Sequence, residues 1–276
     1  MNEPTLISRD ALSGRKIALS VSESADLARL GLNEQHCRLV VAEVGRAVML
    51  AGGTVVYGGN LNPGGYTEIL IEEAQRFSGG RPSLEITLAE SEYRKLTEDE
   101  LITADRGLGD FGRLTLVSES GDTVPISAAL EGVWTQDPGH ALTAMREYVA
   151  SETTARLVVG GRLVDYAGTE PGVIEEARLT IQAERLLLVA GGYGGAAAAV
   201  AQRLHPQYFV GWAPEGYPAH AQNTEVSAAL EAVRDAYVST DVKRAPDEEL
   251  LRLLTISHRP ADIARATVRL FSQLVD

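Results

Sequence analysis

A doubly wound α/β fold with a mostly parallel sheet, a central insertion and a helical C-terminal tail is what this 276-residue chain predicts. Three observations predict it. Short apolar strands alternate with helical stretches along most of the sequence. Glycine clusters follow three of those strands, in VVYGGNLNPGG from Val55, LVVGGRL from Leu157 and LLLVAGGYGG from Leu186. Each cluster is followed by a helix-forming run, and strand, glycine turn and helix in succession imply parallel strands joined by crossover helices. With 45% hydrophobic residues the chain can bury a substantial core, as one domain over 1–276 carrying an elaboration.

In order, Lys16 to Val21 reads as a first buried strand, and the serine-rich SVSES that ends it, Ser20 to Ser24, sits where a parallel strand hands over to a loop. Asn33 is placed to cap the next helix, whose apolar positions Leu39, Val40, Val44, Val48 and Leu50 suit a 3.6-residue period up to Gly52-Gly53. A second strand runs from Thr54 to Tyr57. Pro63-Gly64-Gly65 then opens a helix to about Phe77, closed by Ser78-Gly79-Gly80, and Leu84 to Leu88 gives a third strand.

Residues 90–135 mix the helical TEDELITA with short β-like runs and glycines, which predicts a β-rich insertion. Asp137-Pro138-Gly139 starts a helix to about Ser151. The alternation resumes with a strand over Arg156 to Val159, a helix over Pro171 to Ala183, a strand over Arg185 to Ala190 and a helix from Gly194 to about Leu204. The tail, 222–276, is read as helical over Gln222 to Ser239 and Ala261 to Leu274, with Pro246 and Pro260 as helix starts or stops. Its last helix aligns Ile263, Ala266, Val268, Leu270 and Leu274, a face that would cap the sheet or serve self-association.

The charge narrows the function. A net charge of −13 and a pI of about 4.9 disfavour nucleic acid and anionic membrane, which such a surface repels at long range. A small anion is still admissible, because a nest of backbone amides overrides net charge over a few ångströms. The single cysteine, Cys37, excludes an intrachain disulfide and a cysteine metal cluster. With no basic-then-apolar leader and no run of about eighteen apolar residues, a cytoplasmic protein is expected. The five histidines form no HExxH, and GxSxG and a P-loop ending Gly-Lys-Ser/Thr are both missing from the sequence. Neither a metal nor a separate cofactor is expected.

Parallel strands put their ligands beyond the carboxyl ends, and every glycine cluster falls on that edge. Glycines let a ligand approach the backbone, and the first turn of a helix has unpaired N–H groups. The candidate binding residues are therefore Gly58, Gly59, Asn60, Gly64, Gly65, Thr67, Gly160, Gly161, Arg162, Gly191, Gly192, Tyr193, Gly194 and Gly195. A phosphorylated nucleoside-type small molecule is the ligand class they suggest. Thr67 either holds a phosphate with its neighbouring amides, or Pro63 to Thr67 is merely a good helix start. Arg162 is either a bidentate donor to phosphate or a solvated arginine. Glu175 and Glu176 either accept ribose hydroxyls or compensate a helix dipole. Ser20, Ser22 and Ser24 contact a base or phosphate, or make local turns.

The first two clusters also echo each other. Val55-Val56, Gly58-Gly59-Asn60-Leu61, Pro63-Gly64 and Glu72-Glu73-Ala74 match Val158-Val159, Gly160-Gly161-Arg162-Leu163, Pro171-Gly172 and Glu175-Glu176-Ala177 in order. Duplication and convergence on one βα grammar both account for it.

The string VYGGNLNPGGYTEILIEEA, Val56 to Ala74, with LLLVAGGYGGAAAAV, Leu186 to Val200, resembles the SLOG superfamily. That Rossmann-like group includes the Lonely guy phosphoribohydrolases, the DNA-processing DprA proteins, the ligand-sensing N-terminal region of TRPM channels and the C-terminal sensor of Thoeris antiphage effectors. The resemblance covers about Lys16 to Phe77 and Arg156 to Leu204. It implies a Rossmann-like fold and, in the hydrolytic branch, a glutamate at the end of the later glycine motif. Ala198 stands there in this chain, which points to the sensor branch and a ligand of the ADP-ribose or cyclic ADP-ribose type. Such sensors act as homo-oligomers or through an effector, here a separate chain, as in antiphage defence. The enzyme alternative is an N-glycosidic hydrolase of a nucleoside monophosphate or NAD, with Glu68, Glu175 or Glu176 as the catalytic acid.

Overall fold

The computed structural model describes residues 7–134, 137–241, 245 and 247–274. Among them seven strands form one sheet: β1 (Lys16–Ser22), β2 (Thr54–Gly58), β3 (Leu84–Ala89), β4 (Gly112–Val117), β5 (Thr123–Val124), β6 (Ala155–Gly160) and β7 (Leu186–Ala190), in the order β5-β4-β3-β2-β1-β6-β7. Pairing is parallel throughout except that β5 runs antiparallel to β4 at the edge. Every residue of β3 and β6 is buried, because helices cover both faces of a parallel sheet.

The helices are α1 (Glu34–Leu50), α2 (Tyr66–Phe77), α3 (Glu90–Tyr93), α4 (Glu98–Leu108), α5 (Pro138–Glu152), α6 (Gly172–Gln182), α7 (Gly195–Leu204), α8 (Thr224–Ser239), α9 (Glu248–Ile256) and α10 (Pro260–Ser272). Side chains alternate across β1, so Ile17, Leu19 and Val21 pack with α1, α2, α9 and α10. On the opposite face Ala18 and Val56 meet Met145 and Val149 of α5, and Val158 and Val189 meet α6, α7 and α8. The alanine run of α7 is buried from Ala196 to Ala201; small side chains let this helix sit inside the protein on all sides. No helix among the described residues is long and apolar enough to cross a membrane.

Several expectations are corrected. The segment 90–135 is not a β-rich insertion: it carries α3 and α4, and β4 pairs parallel with β3 in residue-by-residue register from Leu84↔Gly112 to Ala89↔Val117. It is one more crossover of the main sheet, disguised because β4 and β5 lie at the edge and show only partial burial. Its last residue, Thr135, lies outside the described residues, as does Pro246. Pro63 does not begin α2, which starts at Tyr66 after a turn. Leu39 and Leu50 face solvent, while Val40, Val44 and Val48 are buried. The tail has an unforeseen helix, α9, whose Leu250 and Leu254 are buried. In α10 the face bearing Ile263, Ala266, Val268 and Leu270 is consumed within the chain, in one cluster with Val40, Val44 and Val48 of α1, and is not free for self-association.

Candidate functional site

Strand β1 lies between β2 and β6. The chain leaves β1 toward β2 and later returns to its other side, so the crevice beyond its carboxyl end is the topological switch point of the sheet, where such folds take ligands. The two echoing glycine turns are the loops after β2 and β6, and they flank β1 symmetrically. A cleft of about 400 Å³ opens between them, lined by Ser20 and Ser22 of β1, Gly58, Gly59 and Asn60 of the first turn, and Arg162 and Glu176 of the second.

The floor is organised by Arg156, a fully buried arginine in an apolar strand. Its guanidinium donates to Ser20 Oγ at 2.7 Å and Thr180 Oγ1 at 2.8 Å, and pairs with Glu176 Oε1 at 3.2 Å. Burial, the largest influence, pulls the Arg156 guanidinium below its ordinary range, and Glu176 opposes it. Guanidinium basicity is high enough that the group stays charged. Two cleft-facing acceptors, a hydroxyl and a carboxylate, are thereby held by one buried cation. One terminal nitrogen, Nη2, has no partner among the described residues.

Apolar walls complete the cleft through Leu142, Met145 and Val173. A side chain at Gly58 would strike Met145 Sδ at 2.8 Å, so glycine there admits the wall. Tyr57 also lines the cleft; burial, and secondarily Glu176, push its phenol up, which keeps it protonated. Arg162 is exposed and makes no hydrogen bond or ion pair with a described residue. Its loop is anchored by buried Leu163 and by Tyr166, whose hydroxyl donates to Glu225 of α8 at 3.0 Å.

Other expected binding residues are spent within the chain. The Gly64 amide donates to Glu68 Oε2 at 2.7 Å, Gly65 N to the Asn62 carbonyl at 3.1 Å and Thr67 Oγ1 to the Asn60 carbonyl at 2.6 Å. The anion at the α2 end is therefore Glu68 itself, and neither Glu68 nor Thr67 lines the cleft. Gly160 has φ +62°, and a Cβ there would lie 2.3 Å from the Ser22 carbonyl oxygen. Gly161 N donates to that same oxygen at 2.8 Å. Gly160 permits close passage of β1 and the turn after β6, Gly161 permits close packing against Ala196 and Val173, and the Gly161 amide is not offered to a ligand.

The third cluster lies one strand further out, on β7, about 10 Å from β1 at the usual strand spacing. Gly191, Gly192, Tyr193, Gly194 and Gly195 are buried. A Cβ on Gly192 would meet the Ser257 carbonyl oxygen at 2.2 Å. The Gly195 amide at the start of α7 donates to Asp26 Oδ2 at 2.8 Å. Ala198 is buried among apolar residues, so a carboxylate at that position would not reach the cleft. The two adjacent glutamates of α6 separate: Glu175 is buried and bound by Arg146 and by Thr143 Oγ1, whereas Glu176 faces the cleft.

Sequence reading missed Tyr57, Met145, Arg146 and Arg156. An arginine flanked by apolar residues in a buried strand was a readable signal for Arg156, since a buried charge requires partners. Met145 and Arg146 lie on α5, remote in sequence from every glycine turn. Among the described residues no group of three or more His, Cys, Asp or Glu is placed to hold a metal ion. A family model described as SLOG cluster2 matches residues 11–255. No curated protein matches the chain.

Proposed function

The chain belongs to the SLOG cluster2 family, and from that premise we propose that the cleft at the switch point binds a phosphorylated nucleoside derivative of the ADP-ribose or cyclic ADP-ribose type, with the protein acting as its sensor. The observation that carries this reading is the cleft itself, about 400 Å³, with an apolar wall on one side and Ser20, Ser22, Asn60, Arg162 and Glu176 on the other. Pockets for small organic ligands run from roughly 300 to 1,000 Å³ and combine apolar lining with a few placed polar groups. Glu176 is the acceptor for ribose hydroxyls, Arg162 the partner of phosphate, and Tyr57, Met145 and Val173 the surface for a base. Signalling from the bound state proceeds through self-association or a separate effector chain, a role suited to a cytoplasmic defence pathway. Calorimetry of the purified protein with AMP and ADP-ribose tests the binding. Absence of heat with both, repeated in a second buffer, overturns it.

A second reading rests on one specific observation, the Glu176 carboxylate held in the cleft by Arg156 at 3.2 Å. An ionised carboxylate beside C1′ of a bound ribose stabilises the oxocarbenium cation that forms as the C1′–N bond breaks. Water then adds to C1′ and gives up one proton, which a departing purine takes up and which passes to solvent when neutral nicotinamide is the leaving group, so a nucleoside monophosphate or NAD is hydrolysed. Chromatography for free base after incubation decides between the readings. Release of base that disappears in Glu176→Gln establishes hydrolysis, and no release leaves the sensor.

A further inference from the structure

Beyond the cleft, across the loop after β6, lies a second hollow of about 290 Å³ bordered by Glu23, Ser24, Gly195, Ala219 and His220. Arg162 and Asp165 line both hollows, so one short loop forms the partition between them. We propose that the two hollows are one bipartite site: the nucleoside occupies the first, a diphosphate crosses the partition at Arg162, and an uncharged, hydroxyl-rich sugar occupies the second. This inference rests on the nucleotide reading above and extends it to the far end of the ligand.

The chemistry of the walls sets that orientation. The first hollow has the aromatic and apolar surfaces of Tyr57, Leu142, Met145 and Val173, against which a planar base packs. The second has carboxylates from Glu23 and Asp165 and the imidazole of His220, with Arg162 at its boundary as its cation. A phosphate placed deep in the second hollow meets the Glu23 carboxylate, and among the described residues no lysine or arginine other than Arg162 at the partition lines that hollow. The amide that would otherwise attract it, Gly195 N at the start of α7, is already occupied by Asp26 Oδ2 at 2.8 Å. Sugar hydroxyls instead donate to Glu23 and Asp165 and accept from His220. Arg162, which has no ion-pair partner among the described residues, sits where the doubly negative bridge must pass.

The backbone supports a built partition. Asp165 at φ +51° and His220 at φ +67° adopt the left-handed region that side chains rarely take. Each is pinned in place, His220 by the Asn223 amide on its carbonyl at 3.2 Å and by the neighbouring Ala219 amide on Asp26 Oδ1 at 2.9 Å, and Asp165 by the Tyr166–Glu225 bond at 3.0 Å.

The test is calorimetry with AMP, ADP and ADP-ribose on the wild type, Glu23→Gln and His220→Asn; asparagine is chosen because it tolerates the left-handed backbone. ADP-ribose is expected to bind about tenfold tighter than ADP, the gain of one or two hydrogen bonds. Either substitution should remove about fivefold or more of that advantage while AMP affinity is unchanged. If AMP and ADP bind but ADP-ribose binds no tighter than ADP, the second hollow is not a sugar site and the inference falls alone. If the variants weaken AMP as much as ADP-ribose, it falls as well. If none of the three binds, the nucleotide reading fails and takes the inference with it.

Discussion

Asp26 sets its carboxylate against the backbone amide of Gly195, Oδ2 to N at 2.8 Å, at a point where neither residue is exposed. Its other oxygen accepts from Ala219 N at 2.9 Å, and Arg29 lies at 3.3 Å. One side chain from the loop after β1 thus fastens the start of α7 and the segment before α8. A helix start rich in glycine looks from sequence like an anion site, and it is one, but the anion is part of the protein.

Removing that anion should destabilise the fold. Asp26→Ala leaves the buried Gly195 amide and the half-buried Ala219 amide without their acceptor, which is expected to lower the unfolding free energy by about 2–5 kcal/mol. Chemical denaturation measures it. A loss below about 0.5 kcal/mol, the scale of an ordinary surface change, would mean that the carboxylate is not what holds the turn.

Arg162 should matter for ligand and not for stability. Arg162→Ala is expected to weaken an anionic nucleotide by about 1.5–3 kcal/mol, the range for a charge-assisted hydrogen bond. Its exposed side chain and lack of partners among the described residues leave the denaturation midpoint in place. Unchanged affinity for ADP-ribose would return Arg162 to the status of a solvated surface arginine.

Glu68 and Glu176 provide a matched contrast. Glu68→Gln removes the charge at the Gly64 amide and should reduce stability by about 0.5–1 kcal/mol with nucleotide affinity intact. Glu176→Gln should reduce affinity for ribonucleotides and spare deoxyribonucleotides relative to wild type. Equal effects of the two substitutions on binding would show that the loop after β2 contributes more of the site than its hydrogen bonds indicate.

Alkali should loosen the protein by a definite route. Burial, foremost, pushes the Cys37 thiol from its ordinary 9.0 up to about 11, with Glu23 adding and Tyr66 opposing. The folded state therefore holds this proton more tightly than the unfolded chain. That contribution to stability is whole below pH 9.0 and is lost as pH rises through about 11. Burial raises the Tyr93 phenol to about 12, which acts in the same direction. The denaturant midpoint should fall across this interval, and at about pH 8 a thiol reagent should label Cys37 only on unfolding. Labelling of the native protein at the rate of a free thiol would contradict the burial of Cys37.

How much of the site was legible depends on what each residue needs from its neighbours. Gly58, Gly59, Asn60 and Arg162 of the candidate site were readable because they lie at or within two residues of the carboxyl ends of strands, and strand ends carry ligand loops wherever the sheet is parallel. Ser20 and Ser22 were readable for the same reason. Gly64 and Gly195 carried the same local signal and proved to be occupied, by Glu68 four residues on and by Asp26 from 169 residues away. No local pattern distinguishes an amide waiting for a phosphate from one satisfied by a distant carboxylate.

The parallel sheet, most of its strand–helix alternation and the edge that carries the glycine turns followed from the amino-acid order, because hydrophobic period and glycine placement act over a few residues, whereas α9 and the parallel pairing of β4 with β3 did not. Strand order was decided only by folding. Placing β6 rather than β7 beside β1 puts Glu176 in the cleft and leaves Ala198 in the core, and it brings Arg156 beneath Ser20. The physical reason is that a sheet neighbour is chosen by packing both faces at once, a choice made between residues far apart in the chain, which periodicity along a single segment cannot record.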